Sequence, residues 1–496
     1  MRVHVFDYLI TAALLLASFY GVAHDLNQTK LADIAAQNSG ISPPESKLGT
    51  YVIDNGSGLD TGCTYKSEGP LRININIPKV LNDSVLHNGR IDVTKLPDLV
   101  AQKVIGSTVM LSMPIFDVDS EYSGPDRNPE IDKVSFNGKY VGTLQGKNLR
   151  WTETRLEVPI EEVIFGQNNE VKVDIDTAND GNYWCMSVDW VAAEFDVALP
   201  IVLIHGINAQ KDSWDDDSAP GILASLDELG IKYERFSLHA NGTAETNAYL
   251  MAEKITPFLE GIKSEKVHII AHSKGGLDTQ YLQAIGADFG IASLSTFSTP
   301  HLGSVAADLS VIKIRHAAYA YRNNGADPNG YASAYLQLPT VVGPQMPGIA
   351  DLTTHAANDA ILQGVRGGVK NLFSIGANAD LNQDGVIEKE PDLVGLFPWG
   401  ARWAGVRAWQ ALRNFSSAAY VTTKTESRWM GRVKRVVHVV EYEAVPQQPQ
   451  ENDVVVTLSS ANPSFATSLG NVLGNHSTMK NRENLQLFLN QIVSQR

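Results

Sequence analysis

The sequence predicts two folded architectures in succession: an all-β sandwich over residues 49–197, then a doubly wound, mostly parallel α/β domain with a helical cap over residues 198–496. Three features point to this division. Short runs that alternate apolar and polar residues fill the first part. A continuous apolar run, Ile201-Val202-Leu203-Ile204, opens the second, as a strand buried on both faces of a parallel sheet requires. Helical patterns then alternate with short apolar strands, the rhythm of βαβ units.

In the first part, Leu71 to Ile77, Val109 to Phe116, Lys133 to Val141 and Glu170 to Ile175 alternate in period two, separated by Gly, Asn and Asp clusters suited to tight turns. After Pro200, strands are expected at Ile201 to Ile204, Tyr233 to Leu238, Val267 to Ala271, Ile291 to Phe297 and Asn371 to Gly376. Ala244 to Ile262 and Asn484 to Val493 carry helical patterns. From about 303 to 369 the strand rhythm gives way to an Ala-rich stretch that reads as a helical cap over the carboxyl edge of the sheet.

At 496 residues the chain exceeds what one core usually absorbs, and 43% hydrophobic with 19% charged residues is an ordinary globular balance. A net charge of -15 with no Lys/Arg-rich block excludes nucleic acid and anionic membrane surfaces as natural partners. Arg2 and His4 precede an apolar stretch from Tyr8 to Ala23, ending in small residues, which reads as a signal peptide cleaved before His24, with a short N-terminal anchor as the alternative. Secretion, with passage through a periplasm in transit, is therefore expected, with no membrane-spanning segment once the signal is removed. Residues 24–48, with Pro43-Pro44, suit a linker. The two cysteines, Cys63 and Cys185, either form a single disulfide in an exported chain or are two buried thiols.

The chemistry concentrates in the second part. Val267 to Gly276 runs as a buried strand, a small-x-Ser-x-small turn (Ala271-His272-Ser273-Lys274-Gly275) and a helix. Such a turn exposes a serine hydroxyl and aims the first N–H groups of the helix at it. Upstream, His205-Gly206-Ile207 ends the first buried strand, where glycine lets the N–H of Ile207 face the same point. With the N–H of Lys274 it would form a two-donor oxyanion hole. His205 is expected to fix that loop by hydrogen bonding, and Lys274 to place a charge at the rim of the site.

These stretches, with Ser298-Thr299-Pro300-His301-Leu302-Gly303-Ser304 and Asn475-His476, resemble in kind and order the bacterial lipases and esterases of the α/β-hydrolase superfamily. The resemblance covers residues 198–496. It implies a carboxylic ester hydrolase with Ser273 as nucleophile and His476, in Gly474-Asn475-His476-Ser477-Thr478, as general base. For the acid that orients the base, Asp453 in Glu451-Asn452-Asp453-Val454 resembles the family's Asn-Asp-Gly element, with Val454 in place of Gly. Asp380, just after the strand at Phe373 to Gly376, is the rival. Pro347 to Thr354 resembles the stretch after a lipase lid, favouring a lipid ester, met at an interface, as substrate. No redox cofactor or catalytic metal is implied.

Asp380, Asn382, Asp384 and Gly385 read also as the first half of a calcium loop, although Pro391 at its twelfth position excludes a regular EF-hand. Asp392 or Glu388 could complete a shorter cage. Asp117, Asp119 and Glu121 alternate at a strand end, as a solvated face or a sugar- or calcium-bearing surface would. Two other functions fit the same residues. One is an extracellular polyester depolymerase gripping a polymer surface with its sandwich. The other is a non-catalytic adhesion or carbohydrate-binding protein with a retired hydrolase domain.

Overall fold

A computed structural model describes residues 38–54, 64–121, 128–179, 184–311, 347–362, 364, 368, 371–396, 402–429 and 432–493. The stretch read as a signal peptide (1–23), much of the stretch read as a linker, Cys63 and residues 312–346 of the expected cap lie outside them. The chain divides into two compact units, the first ending at Val197 and the second beginning at Ala198.

The first unit is built from antiparallel sheets. In one, Thr108–Phe116 is flanked by Trp151–Pro159 on one side and by Cys185–Val188 and Val191–Glu194 on the other. A second sheet runs Leu71–Ile77, Gln167–Asp174, Lys133–Phe136, Lys139–Thr143. The apolar positions of Leu71–Ile77, namely Ile73, Ile75 and Ile77, are buried and the intervening polar ones exposed. The run read as one strand from Lys133 to Val141 is two. Asn137 and Gly138 both take positive φ, 50° and 85°, and fold it into a hairpin, because an Asn-Gly pair supplies the primed turn that matches strand twist. Cys185 is disulfide-bonded.

The second unit is centred on a six-stranded parallel sheet. Its strands, with labels counted within this unit, are β1 (Ile201–Ile204), β2 (Tyr233–Phe236), β3 (Lys266–His272), β4 (Gly290–Phe297), β5 (Leu372–Asn378) and β8 (Thr467–Leu473), in the spatial order β2-β1-β3-β4-β5-β8. β1, from its first residue to its last, is buried, as is all of β3 beyond Lys266. Helices pack on the sheet: α1 (Ile222–Leu229), α2 (Ala244–Ile262), α3 (Lys274–Ile285), and at the chain's end α8 (Arg482–Ile492). On α2, Ala248, Met251, Ile255, Leu259 and Ile262 recur at helical spacing and are all buried, several of them in one core with Val202, Ile204, Val267 and Ile269. Because the chain winds both ways from β1, the carboxyl ends of β1 and β3 border the point where strand order reverses. Open α/β sheets place ligands at that crevice.

Between β5 and β8 the chain adds α6 (Arg402–Asn414) and α7 (Leu458–Ala461), around a long hairpin of β6 (Phe415–Trp429) and β7 (Arg432–Pro446). The earlier two, α4 (Gly348–Asp351) and α5 (Thr354–Leu362), lie in the cap stretch, as does a helical run at 305–311. The buried Asp308 accepts hydrogen bonds from Thr354 and from the Ala418 N–H, so the base of the hairpin and the cap share one anchor. Among the described residues no helix is long and apolar enough to cross a membrane.

Candidate active site

Ser273 stands between the end of β3 and the first residue of α3 with φ 54° and ψ -127°, a conformation that L-residues hold only under constraint. The constraints can be named. The Ser273 N–H donates to Phe297 O at 2.9 Å, and its carbonyl accepts from Thr299 Oγ1 at 2.8 Å. The glycines permit close approach: a Cβ on Gly275 would lie 2.5 Å from His205 O, and one on Gly206 would lie 2.8 Å from Ser273 Cβ. Real Cβ atoms do not approach so near, so these two positions demand glycine. They bring the end of β1 against the serine turn.

His205 fixes the β1 loop. Its Nε2 accepts from the Leu238 N–H at 2.9 Å, which leaves Nδ1–H to donate to Gly206 O at 2.8 Å. Burial pushes its pKa below the usual imidazole range, consistent with that neutral tautomer. Among the described residues, the backbone N–H groups of Ile207 and Lys274 find no protein acceptor.

His476 follows β8 in a tight loop. Its Nδ1 lies 2.7 Å from Asp453 Oδ2, and its N–H donates to Asp453 O at 3.0 Å. A carboxylate only accepts, so Nδ1 carries the proton and Nε2 is left as the basic nitrogen. Asp453 is fully buried, and its Oδ1 accepts from the N–H groups of Val455 at 2.9 Å and Val456 at 2.7 Å. His272, next to Ser273, donates from Nε2 to His476 O at 2.8 Å, and the two rings lie 4.7 Å apart. Burial, aided by the Lys480 ammonium, keeps the His272 pKa well below its ordinary value. The structure thus brings Ser273, Ile207, Lys274, Asp453 and His476 to one place. It does not bring Asp380, whose Oδ2 accepts from the Gly385 N–H at 2.8 Å within its own loop.

Two features differ from what the sequence suggests. Lys274 does not put a charge at a rim: its side chain is buried and ion-paired with the buried Asp278 one helical turn on, which also accepts from Asn247 Nδ2 at 2.9 Å. The i,i+4 spacing on α3 was the signal that could have shown this. Val454, where the resembling family has Gly, adopts φ 81° while buried among Ala379, Ile387, Leu393 and Trp409. A β-branched residue there stores strain of about 1–2 kcal/mol. Val454→Ala keeps that strain and loses packing, whereas Val454→Gly loses packing and relieves the strain. The glycine variant is expected to be about 1 kcal/mol more stable than the alanine variant in urea unfolding; equal stabilities would mean the backbone there is unstrained.

Sequence reasoning also missed the supporting roles of two residues, Asn475 and Lys480, and of one apolar cluster. Asn475 donates from Nδ2 to Asp392 O at 2.9 Å and Val394 O at 2.7 Å, tying the His476 loop to the segment after β5. Lys480 is buried, donates to Ser213 O at 2.9 Å and lies 5.4 Å from the Trp214 ring centre. Burial pushes its pKa down to about 8. Beside α3, Leu277, Ala307, Ile349 and Leu352 form an apolar cluster against which Ile207 and Val311 pack.

In the loop after β5, Asn382 and Asp384 are exposed, and Asp384 Oδ1 accepts from the Val386 N–H at 2.8 Å. Asp380 and Asp392 are buried, each with one oxygen, Oδ1, that has no hydrogen-bond partner. Among the described residues no three His, Cys, Asp or Glu side chains already stand in position to ligate one metal.

No protein-family model matches the chain. It is 32% identical over 115 residues to a triacylglycerol lipase of Pseudarthrobacter phenanthrenivorans, covering 22% of this chain and 35% of the relative. It is likewise 32% identical over 115 residues to one of Burkholderia plantarii, covering 22% and 31%. The chain thus spans about a third of the length of the curated relatives it matches. Among solved structures, a mature lipase of Bacillus licheniformis is similar with a TM-score of 0.38 and 19% identity, over 60% of this chain and 92% of the other. Over those 115 residues the chain is similar to bacterial triacylglycerol lipases.

Proposed function

We propose that the second unit is a serine carboxylester hydrolase acting on lipid esters. The observation that carries this reading is the Asp453–His476 pair, held at 2.7 Å, with the His476 carbonyl accepting from His272, the residue beside Ser273. In the proposed mechanism the Ser273 hydroxyl attacks the acyl carbon and His476 Nε2 takes its proton. The oxyanion lies against the N–H groups of Ile207 and Lys274. Collapse expels the alcohol, protonated by His476, and leaves an acyl-Ser273. Water, deprotonated by His476, releases the acid. Asp453 holds the tautomer and stabilises the imidazolium.

The preference for lipid rests on the apolar cluster beside α3. Leu277, Ile349 and Leu352, with Ile207 packed on them, offer an acyl chain a wall next to the oxyanion donors. An ester panel of rising chain length tests it, with emulsified triacylglycerol included. Turnover should rise with acyl length, and Leu352→Asp should cancel the preference for long chains while acetate esters are still cleaved. A flat profile would leave a plain esterase. In this reading residues 1–23 export the chain, and the antiparallel sheets of the first unit form an accessory β-sandwich.

We also read the Asp380–Asp392 loop as holding a structural calcium ion. The partnerless buried oxygens of Asp380 and Asp392 support it, since a buried carboxylate oxygen without a donor fits a hard cation. Asp380, Asn382, Asp384 and Asp392 would hold it, and it would stiffen the segment that Asn475 grips beside His476. Chelation should lower the melting temperature by about 5 °C, with calcium restoring it. Asp380→Asn should start lower and lose the part of the response due to this loop. Identical responses in the two proteins would remove the ion from this loop.

A further inference from the structure

The His476 loop ends in a lysine that the proposed hydrolysis does not use. Lys480 is 4% exposed, and its Nζ donates to Ser213 O at 2.9 Å while lying 5.4 Å from the centre of the Trp214 ring. Among the described residues no carboxylate pairs with that ammonium. A buried charge without a counter-ion weakens a fold, and a methionine of similar length would pack on the indole without that penalty. Such a penalty is retained where it serves a site.

The surroundings of Lys480 say what it serves. Ser213 and Trp214 end the 3₁₀ turn Lys211–Trp214, which follows the loop carrying the Ile207 N–H. Trp214 is fully buried and packs on Phe297, with ring centres 6.3 Å apart. The Phe297 carbonyl in turn accepts from the Ser273 N–H at 2.9 Å. One side chain thus joins the base loop directly to the segment behind the oxyanion donor, and through Trp214 to the serine turn. Burial first, and this ammonium after it, push the His272 pKa down. On His205 burial again leads, with the Lys274 and Lys480 charges adding to it. The neutral rings so favoured are the ones that hold the His476 carbonyl and the β1 loop.

On the reading of Ser273 as nucleophile and His476 as base, we propose that Lys480 is a positioning residue whose positive charge clamps the base loop to the segment behind the Ile207 donor. An ammonium donates a charge-assisted hydrogen bond and is drawn to an indole face; a neutral amine donates weakly and is not drawn to the ring. Other charges on the surrounding segments do not take its place. Asp215 pairs with Arg235, Arg482 with Glu228 and Lys274 with Asp278, while Lys211, Asp212, Asp216, Asp217 and Glu483 are exposed. The buried imidazoles are those of His205, His272 and His476. Burial lowers the Lys480 pKa to about 8, so the clamp should slacken as pH rises past that value.

The test is steady-state hydrolysis of a short nitrophenyl ester by the full chain from pH 7 to 9.5. At pH 7 Lys480→Met should lose about 10–10²-fold in kcat, as a displaced catalytic loop does, with KM changed by less than about threefold. Lys480→Gln, which can still donate to Ser213 O but carries no charge, should be as slow. Wild-type kcat should fall toward that of Lys480→Met as pH passes about 8, and the variant should show no such fall. Melting temperatures separate a clamp from a packing residue. Unfolded, the ammonium keeps its proton to about pH 10, so the unfolded chain binds more protons above about pH 8 and the penalty of the buried charge fades as pH rises. Lys480→Met should therefore melt at or above wild type at pH 7, with an advantage that shrinks toward pH 9.5. Either variant with wild-type kcat, a fall in kcat with pH in Lys480→Met that matches wild type's, or a Lys480→Met that melts well below wild type at pH 7 would overturn the assignment. Fluorophosphonate labelling in the same preparations keeps the two readings apart: a Ser273 adduct in wild type upholds the nucleophile whatever Lys480 does, and its absence removes both.

Discussion

Replacing Asp453 with Asn is expected to lower kcat by about 10⁴-fold with the fold intact. The carboxamide can still accept from the Val455 and Val456 N–H groups, so the loop keeps its shape. Its NH₂, however, would face His476 Nδ1, now 2.7 Å from Asp453 Oδ2. Nδ1 must then accept, the proton moves to Nε2, and the nitrogen facing the nucleophile is no longer a base. Asp380→Asn, whose carboxylate closes its own loop on Gly385, should keep kcat within about tenfold of wild type. Steady-state hydrolysis of a short nitrophenyl ester by the two variants separates them. A loss in Asp380→Asn as large as in Asp453→Asn would undo the assignment.

The second large effect lies at Gly206. A methyl group there meets Ser273 Cβ at 2.8 Å, His272 O at 3.2 Å and His272 Nδ1 at 3.3 Å. Neither neighbour can give way, since His272 is held by the His476 carbonyl and the serine turn by Phe297 and Thr299. The β1 loop must move instead and carry the Ile207 N–H with it. Gly206→Ala should therefore lose about 10²–10³-fold in kcat, the usual contribution of one oxyanion donor, with KM changed much less. A variant with unchanged kcat would show that Ile207 donates nothing to the transition state.

The parallel sheet was legible because burial on both faces leaves an unbroken apolar run, as at Ile201 to Ile204, and because glycine at 206 and 275 marks backbones in contact. What spacing alone left open depends on long-range closure. Choosing between Asp453 and Asp380 requires knowing that the chain passes through the hairpin Phe415–Pro446 and then brings Asp453 back against the His476 loop. Nothing in either acid's local pattern says which one meets His476. Lys274 was misjudged because its neighbour in sequence is an exposed-looking turn, while its partner, Asp278, sits one helical turn along α3. In the first unit the alternating acids at Asp117, Asp119 and Glu121 drew attention, yet Glu130, Asp132 and Asp176 are more deeply buried. They come from two segments, 130–132 and 176, that border neighbouring strands of one sheet, and period-two alternation along a single strand cannot register a cluster assembled from two.

The central claim is that Ser273 is a nucleophile activated by His476. Incubation with a fluorophosphonate probe, followed by mass spectrometry of the digested chain, tests it most directly. The expected result is one adduct, on the peptide carrying Ser273, absent in Ser273→Ala and strongly slowed in His476→Ala. Labelling that persists unchanged in Ser273→Ala, or an adduct mapped to another residue, would contradict the assignment.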